Sequence, residues 1–274
     1  MMNNIIVSGG FDNIHSREIR FLEEAAKLGR LHVFLWSDRL VQYFEGEYPN
    51  FSDEERKYFL QAVRYVTGVT VVDELPNRDV LVITEDMRPC TWVVKQADDS
   101  PQKRSFCLKN EIAYRTIPDD GLMRFPALPL NSEIAGSTRK KVVVTGCFDW
   151  LHSGHVRFFE ETSGFGDLYV VLGHDENVAL LKGEGHPQFP QDERRYMVQS
   201  IRFVERAMIS SGDGWMDAEP EIALIKPDIY VVNEDGDKPE KQAFCKEHGL
   251  EYIVLKRLPK EGLPQRTSTD LRGF

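Results

Sequence analysis

The chain has little cysteine: four residues in 274 (Cys90, Cys107, Cys147, Cys245), scattered and without a C-x-x-C pair. Spacing of this kind suggests neither a disulfide framework nor a zinc knuckle, and free thiols in a reducing compartment are expected. Long apolar runs are missing too. Nothing approaches the roughly 18 consecutive apolar residues of a membrane span, and the longest runs, such as residues 169–172, are strand-sized. The opening Met1-Met2-Asn3-Asn4 lacks the basic and then apolar pattern of a secretory signal, so the expected location is cytoplasmic and no membrane partner is expected. Positive charge is in deficit, with 34 Lys and Arg against 44 Asp and Glu and a formal net charge of -10. A protein that grips nucleic acid through its overall field has the opposite balance, so no nucleic-acid partner is expected. A nucleotide would have to be held by a local basic pocket. Neither G-x-G-x-x-G nor G-x-x-x-x-G-K-[ST] occurs, which leaves a dehydrogenase or a P-loop NTPase with little support.

What the chain does contain is a copy of itself. Residues 5–36 lie over residues 142–173 with fourteen of 32 positions identical, both stretches carrying a G-x-F-D-x-x-H-S core. The register slips by one residue near Gly46 and Gly183 and then resumes. Asp53-Glu54-Glu55-Arg56-Lys57-Tyr58 is echoed by Gln191-Asp192-Glu193-Arg194-Arg195-Tyr196, and Phe106-Cys107 by Phe244-Cys245. The Pro-, Gly- and Ser-containing stretch 118–141 reads as the tail of the first copy and a linker. The expected domains are 1–136 and 137–274, with the boundary at Gly136.

Within each copy, short β-branched runs (142–145, 168–172, 229–232, 252–255) alternate with segments of helical period (155–162, 192–203, 239–248). Alternation of that kind predicts an α/β fold: two tandem doubly wound parallel sheets, Rossmann-like, with ligands at the carboxyl ends of the strands. The run 142–145 leads straight into Gly146-Cys147-Phe148-Asp149-Trp150-Leu151-His152-Ser153-Gly154-His155. A strand-to-helix turn presents unpaired N–H groups and a partial positive charge, a seat for phosphate. His152 and His155 can face one anion there, and Gly154 lets a phosphate chain approach the backbone.

This H-x-G-H segment, with its G-C-F-D prefix, resembles the HxGH nucleotidyltransferase superfamily and its cytidylyltransferase-like branch. That branch includes glycerol-phosphate and ethanolamine-phosphate cytidylyltransferases and heptose-phosphate adenylyltransferases. The resemblance covers the second half nearly end to end. It implies transfer of a nucleoside monophosphate from CTP or ATP to a small phosphorylated alcohol or sugar phosphate, with release of pyrophosphate. It further implies that His152, His155, Lys182 and Arg266 are catalytic, with Gly146, Cys147, Phe148, Asp149, Gly154, Asn233, Asp235, Thr267, Ser268 and Thr269 on the nucleotide. Arg194 and Lys182 would hold the acceptor. Mg²⁺ would arrive on the triphosphate, with Asp149 acting through it and the ion's ligands unassigned. Arg266-Thr267 before Ser268-Thr269 is similar to the cytidylyltransferase ending, whereas Gly146-Cys147-Phe148-Asp149 and residues 235–240 are closer to the adenylyltransferases, so the base stays open.

Blander readings stand beside these. His152 and His155 have the makings of ordinary capping or core histidines, and Cys147, His152 and His155 have the ligand types of a zinc cluster without a fourth ligand spaced nearby. Lys182 alone reads as a solvated lysine, Asp192 to Arg195 as a charged first turn, and His174-Asp175 as either a turn or part of the nucleotide site. A non-catalytic nucleotide sensor or scaffold is the alternative function. The first half has lost the chemistry: Arg17 stands for Gly154, Glu18 for His155, Glu45 for Lys182, and Pro129-Leu130-Asn131-Ser132 for the closing segment. Arg56 survives and reads as a helix-surface residue. The first half is therefore expected to be non-catalytic, kept as an internal pseudo-dimer partner or for a homodimer interface.

Overall fold

The computed structural model describes residues 3–126 and 138–267. The chain divides into two compact units, Met1–Phe125 and Pro126–Phe274. The expected boundary at Gly136 falls outside the described residues.

The first unit runs β1 (Asn4–Gly9), α1 (Ser16–Ala26), β2 (Arg30–Trp36), α2 (Asp38–Glu45), α3 (Asp53–Ala62), β3 (Val66–Val72), β4 (Cys90–Lys95), α4 (Pro101–Lys109) and β5 (Ala113–Ile117). Its five strands pair in parallel in the order β3-β2-β1-β4-β5. The second unit repeats the plan with β6 (Lys141–Gly146), α5 (Ser153–Ser163), β7 (Asp167–Leu172), α6 (Asp175–Lys182), α7 (Gln191–Gln199), β8 (Val204–Ile209), α8 (Glu219–Ile225), β9 (Ile229–Asn233), α9 (Pro239–Glu247) and β10 (Glu251–Leu255). Its sheet, β10-β9-β6-β7-β8, is the same order read from the other edge, again parallel throughout. Two doubly wound sheets are what the alternating pattern predicted.

The segments form these elements for local reasons. Val142, Val143 and Val144 are fully buried, as an unbroken β-branched run covered on both faces should be. Each contributes roughly 1.5 to 3 kcal/mol by burial, which pins the strand that leads into the H-x-G-H turn. One layer over the sheet joins Val143, Tyr169, Tyr230 and Val232 to Ile222 and Ile225 of α8 and Phe244 of α9. The helical pattern over 192–203 ends early in the structure, because the Ser200 hydroxyl donates back to the Met197 carbonyl (2.6 Å) and the chain then turns into β8. The first unit has no counterpart of α8 among its described residues; a single 3-10 turn, Glu85–Met87, occupies that connection.

The central strands create the site. β6 pairs with β7 along its whole length but with β9 only at Val142↔Ile229 and Val143↔Tyr230. Beyond those pairs the two strands splay, and the chain passes to opposite faces of the sheet on either side of the gap. A crevice at the carboxyl ends follows, at the point where strand order reverses. A Thr145 to Tyr230 hydroxyl contact of 2.7 Å bridges its base.

Candidate active site

The turn after β6 is held open by one glycine and one strained residue. Phe148 has φ of 52° and turns its ring back under the strand end. A Cβ on Gly146 would lie 2.9 Å from that ring, so any side chain there would force the ring to shift. The Phe148 ring in turn supports His155 (5.2 Å between centroids) and Phe159 (5.1 Å). His152 is the N-cap of α5, its Nδ1 accepting from the Gly154 N–H at 3.1 Å. With Nδ1 accepting, the neutral ring carries its proton on Nε2. The His152 and His155 rings stack at 3.9 Å and 25°. A Cβ on Gly154 would meet the His152 ring at 3.0 Å, so the glycine is needed for the stack as well as for backbone approach.

These groups open into a cleft of about 320 Å³ over the splayed strands. It brings together Gly146, Cys147, Phe148, Asp149, His152, Gly154, His155, Lys182, Asn233, Asp235 and Thr267, residues drawn from positions up to 121 apart in sequence. Burial first, then the closeness of a second titratable imidazole, His152, and then Arg257 push the His155 imidazole well below its ordinary pKa, so at neutral pH it is an uncharged donor or acceptor. Lys182 ends α6 and is exposed at the cleft, where its charge opposes the upward push of burial on the Cys147 thiol.

Two charged cleft residues escaped sequence reasoning. Arg257 follows β10; it donates to the Asp235 carboxylate at 2.5 Å and to the Arg266 carbonyl at 3.2 Å. Nothing local marks it, since its role depends on the turn that brings 266 back beside it. Lys241 in α9 lies 5.9 Å over the Tyr230 ring, with its pKa lowered by burial first and by Lys238 next. The repeat did hold a signal for it: Lys103 occupies the same place in α4, 6.0 Å over Trp92.

Other expected site residues lie elsewhere. Arg194 does not line the cleft. Its side chain is fully buried, and it donates to the carbonyls of Phe189 (3.0 Å), Cys147 (2.7 Å) and Gly173 (2.9 Å) and to the Asp175 carboxylate (2.7 Å). Those bonds leave it tying three loops together rather than reaching an acceptor. Asp149 borders the cleft, but its carboxylate accepts the backbone N–H groups of Gln188 (2.9 and 3.0 Å) and Phe189 (3.0 Å). Arg266 borders a narrow recess shared with Gly154 and Arg257 rather than the main cleft. His174 caps α6 through Asn177 and contacts the Gly212 carbonyl, which makes it a turn residue. Ser268 and Thr269 fall outside the described residues. Among the described residues no group of three or more His, Cys, Asp or Glu is arranged to hold a metal ion.

The first unit explains which of these features are architectural. Asp12 accepts from the N–H groups of Asn50 (2.8 Å) and Phe51 (2.9 Å) as Asp149 does from 188 and 189. Arg56 donates to Phe51, Gly10 and Trp36 carbonyls and to Asp38, matching Arg194 bond for bond. It is 2% exposed, a buried residue and not the helix-surface arginine its pattern suggested. A feature kept in both copies while the histidine, glycine and lysine change is serving the loops.

Comparison with known proteins agrees with the second unit's geometry. A family model, Cytidylyltransferase-like, matches residues 143–267. The chain is 37% identical over 136 residues to an FAD synthase of Aciduliprofundum boonei, covering 48% of this chain and 84% of that one. A second FAD synthase, from Methanocella paludicola, is 33% identical over 135 residues, covering 48% and 93%. The Bifunctional protein HldE of Campylobacter concisus is 41% identical over 99 residues, covering 35% of this chain and 20% of that much longer one. With a doubly wound sheet, an H-x-G-H turn at its switch point and relatives of this kind, the chain belongs to the cytidylyltransferase-like family and is a nucleotidyltransferase.

Proposed function

We propose that the second unit transfers the adenylyl group of ATP to a small acceptor bearing a phosphate monoester and releases pyrophosphate. The observation that carries this reading is the stacked His152–His155 pair at the N-terminus of α5, set over the crevice with Lys182 facing it. The names of the relatives favour ATP over CTP, since FAD is an adenylyl group joined to a flavin phosphate. A flavin phosphate or a sugar phosphate is the acceptor class in view.

An acceptor phosphate oxygen is already anionic near neutral pH and needs no general base. It attacks the α-phosphorus in line, forming the new O–P bond as the bond to the β-phosphate oxygen breaks. Catalysis is then positioning and charge stabilisation. His152 Nε2 and the His155 ring face the α and β phosphates and hydrogen-bond charge that builds there. Lys182 at the cleft and Arg266 at the recess beside Gly154 attract the triphosphate or the acceptor phosphate. Gly146, Cys147 and Phe148 shape the turn, and Thr267, which lines the same cleft, is given to the phosphates. Asn233 and Asp235, with Arg257 bracing Asp235, flank the nucleoside end. Arg194 contributes by holding the Cys147 carbonyl and is not an acceptor ligand.

Mg²⁺ fits as an ion carried on the triphosphate rather than one caged by the chain. Both Asp149 oxygens are occupied by backbone N–H groups and Asp235 is paired with Arg257, whereas Mg²⁺ on a substrate keeps waters and phosphate oxygens as its main ligands. When bound it neutralises phosphate charge. The first unit, with Glu18 and Glu45 where the second has His155 and Lys182, is assigned no catalysis.

The test is pyrophosphate release by the full chain over four nucleoside triphosphates and a panel of phosphorylated alcohols, sugars and flavin phosphate. Release with ATP and one acceptor supports the reading. Triphosphate binding without release under any pairing would make the protein a sensor instead.

A further inference from the structure

We propose that the first unit carries a second, separate ligand site, which takes an unphosphorylated nucleoside. At its own switch point, where β1 pairs with β4 only through Asn4–Ile6 and Cys90–Trp92, lies a cleft of about 280 Å³. That is close to the 320 Å³ of the catalytic cleft. It sits just below the roughly 300 to 1,000 Å³ of small-molecule pockets, room for a nucleoside and not for a dinucleotide. The Asp12 and Arg56 loop bonds persist beside it although the phosphate chemistry has gone. A unit retained only as packing has no need to hold a cleft of undiminished size.

The walls choose the ligand. On the side where the second unit presents His155 and Lys182, this cleft presents Glu18 and Glu45. Glu18 is partly engaged, by the His15 backbone N–H (3.3 Å) and by Lys95 at 3.7 Å. Glu45 has neither hydrogen bond nor ion pair among the described residues, and its carboxylate lies 3.5 Å from where a Cβ on Gly10 would be. Two carboxylates at that end repel a triphosphate and accept from hydroxyl or amino groups.

The rest of the wall suits a planar ring. Trp36 and Trp92 line the cleft, and Lys103 lies over the Trp92 face at 6.0 Å, braced by the Asp98 carbonyl at 2.8 Å. Trp92 is 1% exposed and its indole N–H has no hydrogen-bond partner, a buried donor that lacks an acceptor. The counterpart Tyr230 has no such deficit, its hydroxyl meeting Thr145 at 2.7 Å. In the first unit Ser8, at the position of Thr145, is instead taken by the Trp36 N–H at 2.9 Å. An indole-lined wall that carries Lys103 and a carboxylate end together match a base and a sugar's free hydroxyls.

The experiment is calorimetric titration of the full chain carrying His152→Ala and His155→Ala, with adenosine and cytidine as probes and ATP and CTP as controls. One nucleoside per chain should bind, weakened at least tenfold by adding Glu45→Lys, which lies at an exposed position and leaves the fold intact. The triphosphates should bind this cleft at least tenfold more weakly than the nucleoside, and Glu45→Lys should narrow that gap. Absence of nucleoside binding, binding indifferent to Glu45→Lys, or triphosphate binding as tight as nucleoside binding at the Glu45-sensitive site would each overturn the proposal. Pyrophosphate release by the wild-type chain is scored separately, so failure here leaves the catalytic reading standing.

Discussion

Arg194 separates two roles that its sequence context could not. As an acceptor ligand its loss should cost turnover and leave stability alone; as a loop tie it should cost stability first. Arg194→Ala removes three charge-assisted bonds to the carbonyls of Phe189, Cys147 and Gly173, all made by a side chain with no exposure. Bonds of this type contribute about 1.5 to 3 kcal/mol each, but they share one group and do not add. The Asp175 carboxylate is 41% exposed, so its ion pair adds only about 0 to 1 kcal/mol. The expected loss is therefore about 3 to 5 kcal/mol, the cost of breaking a buried charged network. For a unit of this size about 2 to 4 °C of Tm accompanies each kcal/mol, so the second unit's transition should fall by roughly 6 to 20 °C. Arg194→Lys should recover little of it, because an ammonium cannot reach three carbonyls at fork geometry. Calorimetry and kinetics on the same samples decide the matter. An Arg194→Ala protein with unchanged Tm and a raised acceptor KM would refute the structural assignment, and Arg56→Ala, expected to destabilise the first unit similarly, is the internal control.

Other outcomes follow from the same geometry. His155→Ala should lower kcat by about 10² to 10³, the loss of one preorganised donor of about 2.7 to 4 kcal/mol, with circular dichroism unchanged; turnover within a few-fold of wild type would remove it from the catalytic set. Because burial and His152 depress the His155 pKa, the folded protein binds that proton less readily than the unfolded chain. Its stability contribution is full above the unfolded value of 6.5 and is lost as pH falls below it. Denaturant unfolding between pH 7.5 and 5 should show that slope, flattened in His155→Ala. Asp149→Asn should loosen residues 186–189 and lower stability by about 1.5 to 3 kcal/mol for each charge-assisted bond lost, while the Mg²⁺ concentration for half-maximal rate stays put; a shifted Mg²⁺ dependence would instead make Asp149 a metal ligand. Turnover should require Mg²⁺ and survive removal of trace zinc, checked by metal analysis beside the assay.

Much of this protein was legible in one dimension. The repeat at residues 5–36 and 142–173 and the alternation of β-branched runs with helical periods dictate two parallel doubly wound sheets, because a strand buried on both faces must be apolar along its length. The H-x-G-H turn was visible for a similar reason: N-caps, glycine approach and phosphate seats are properties of adjacent residues. What the sequence could not show is which charged side chains are consumed by the fold. Arg194 reads as an acceptor ligand and Arg56 as a helix-surface residue, and both are among the most buried side chains of the described residues. Asp149 reads as a ligand, yet it is occupied by N–H groups 39 and 40 residues away. Arg257 was invisible until the turn of 256–266 brought it against Asp235. Local sequence determines the elements and their order through propensity and periodicity. Only the tertiary structure decides whether a given charge faces the cleft or is satisfied inside the protein, since that depends on which distant carbonyls and N–H groups packing brings within hydrogen-bond reach.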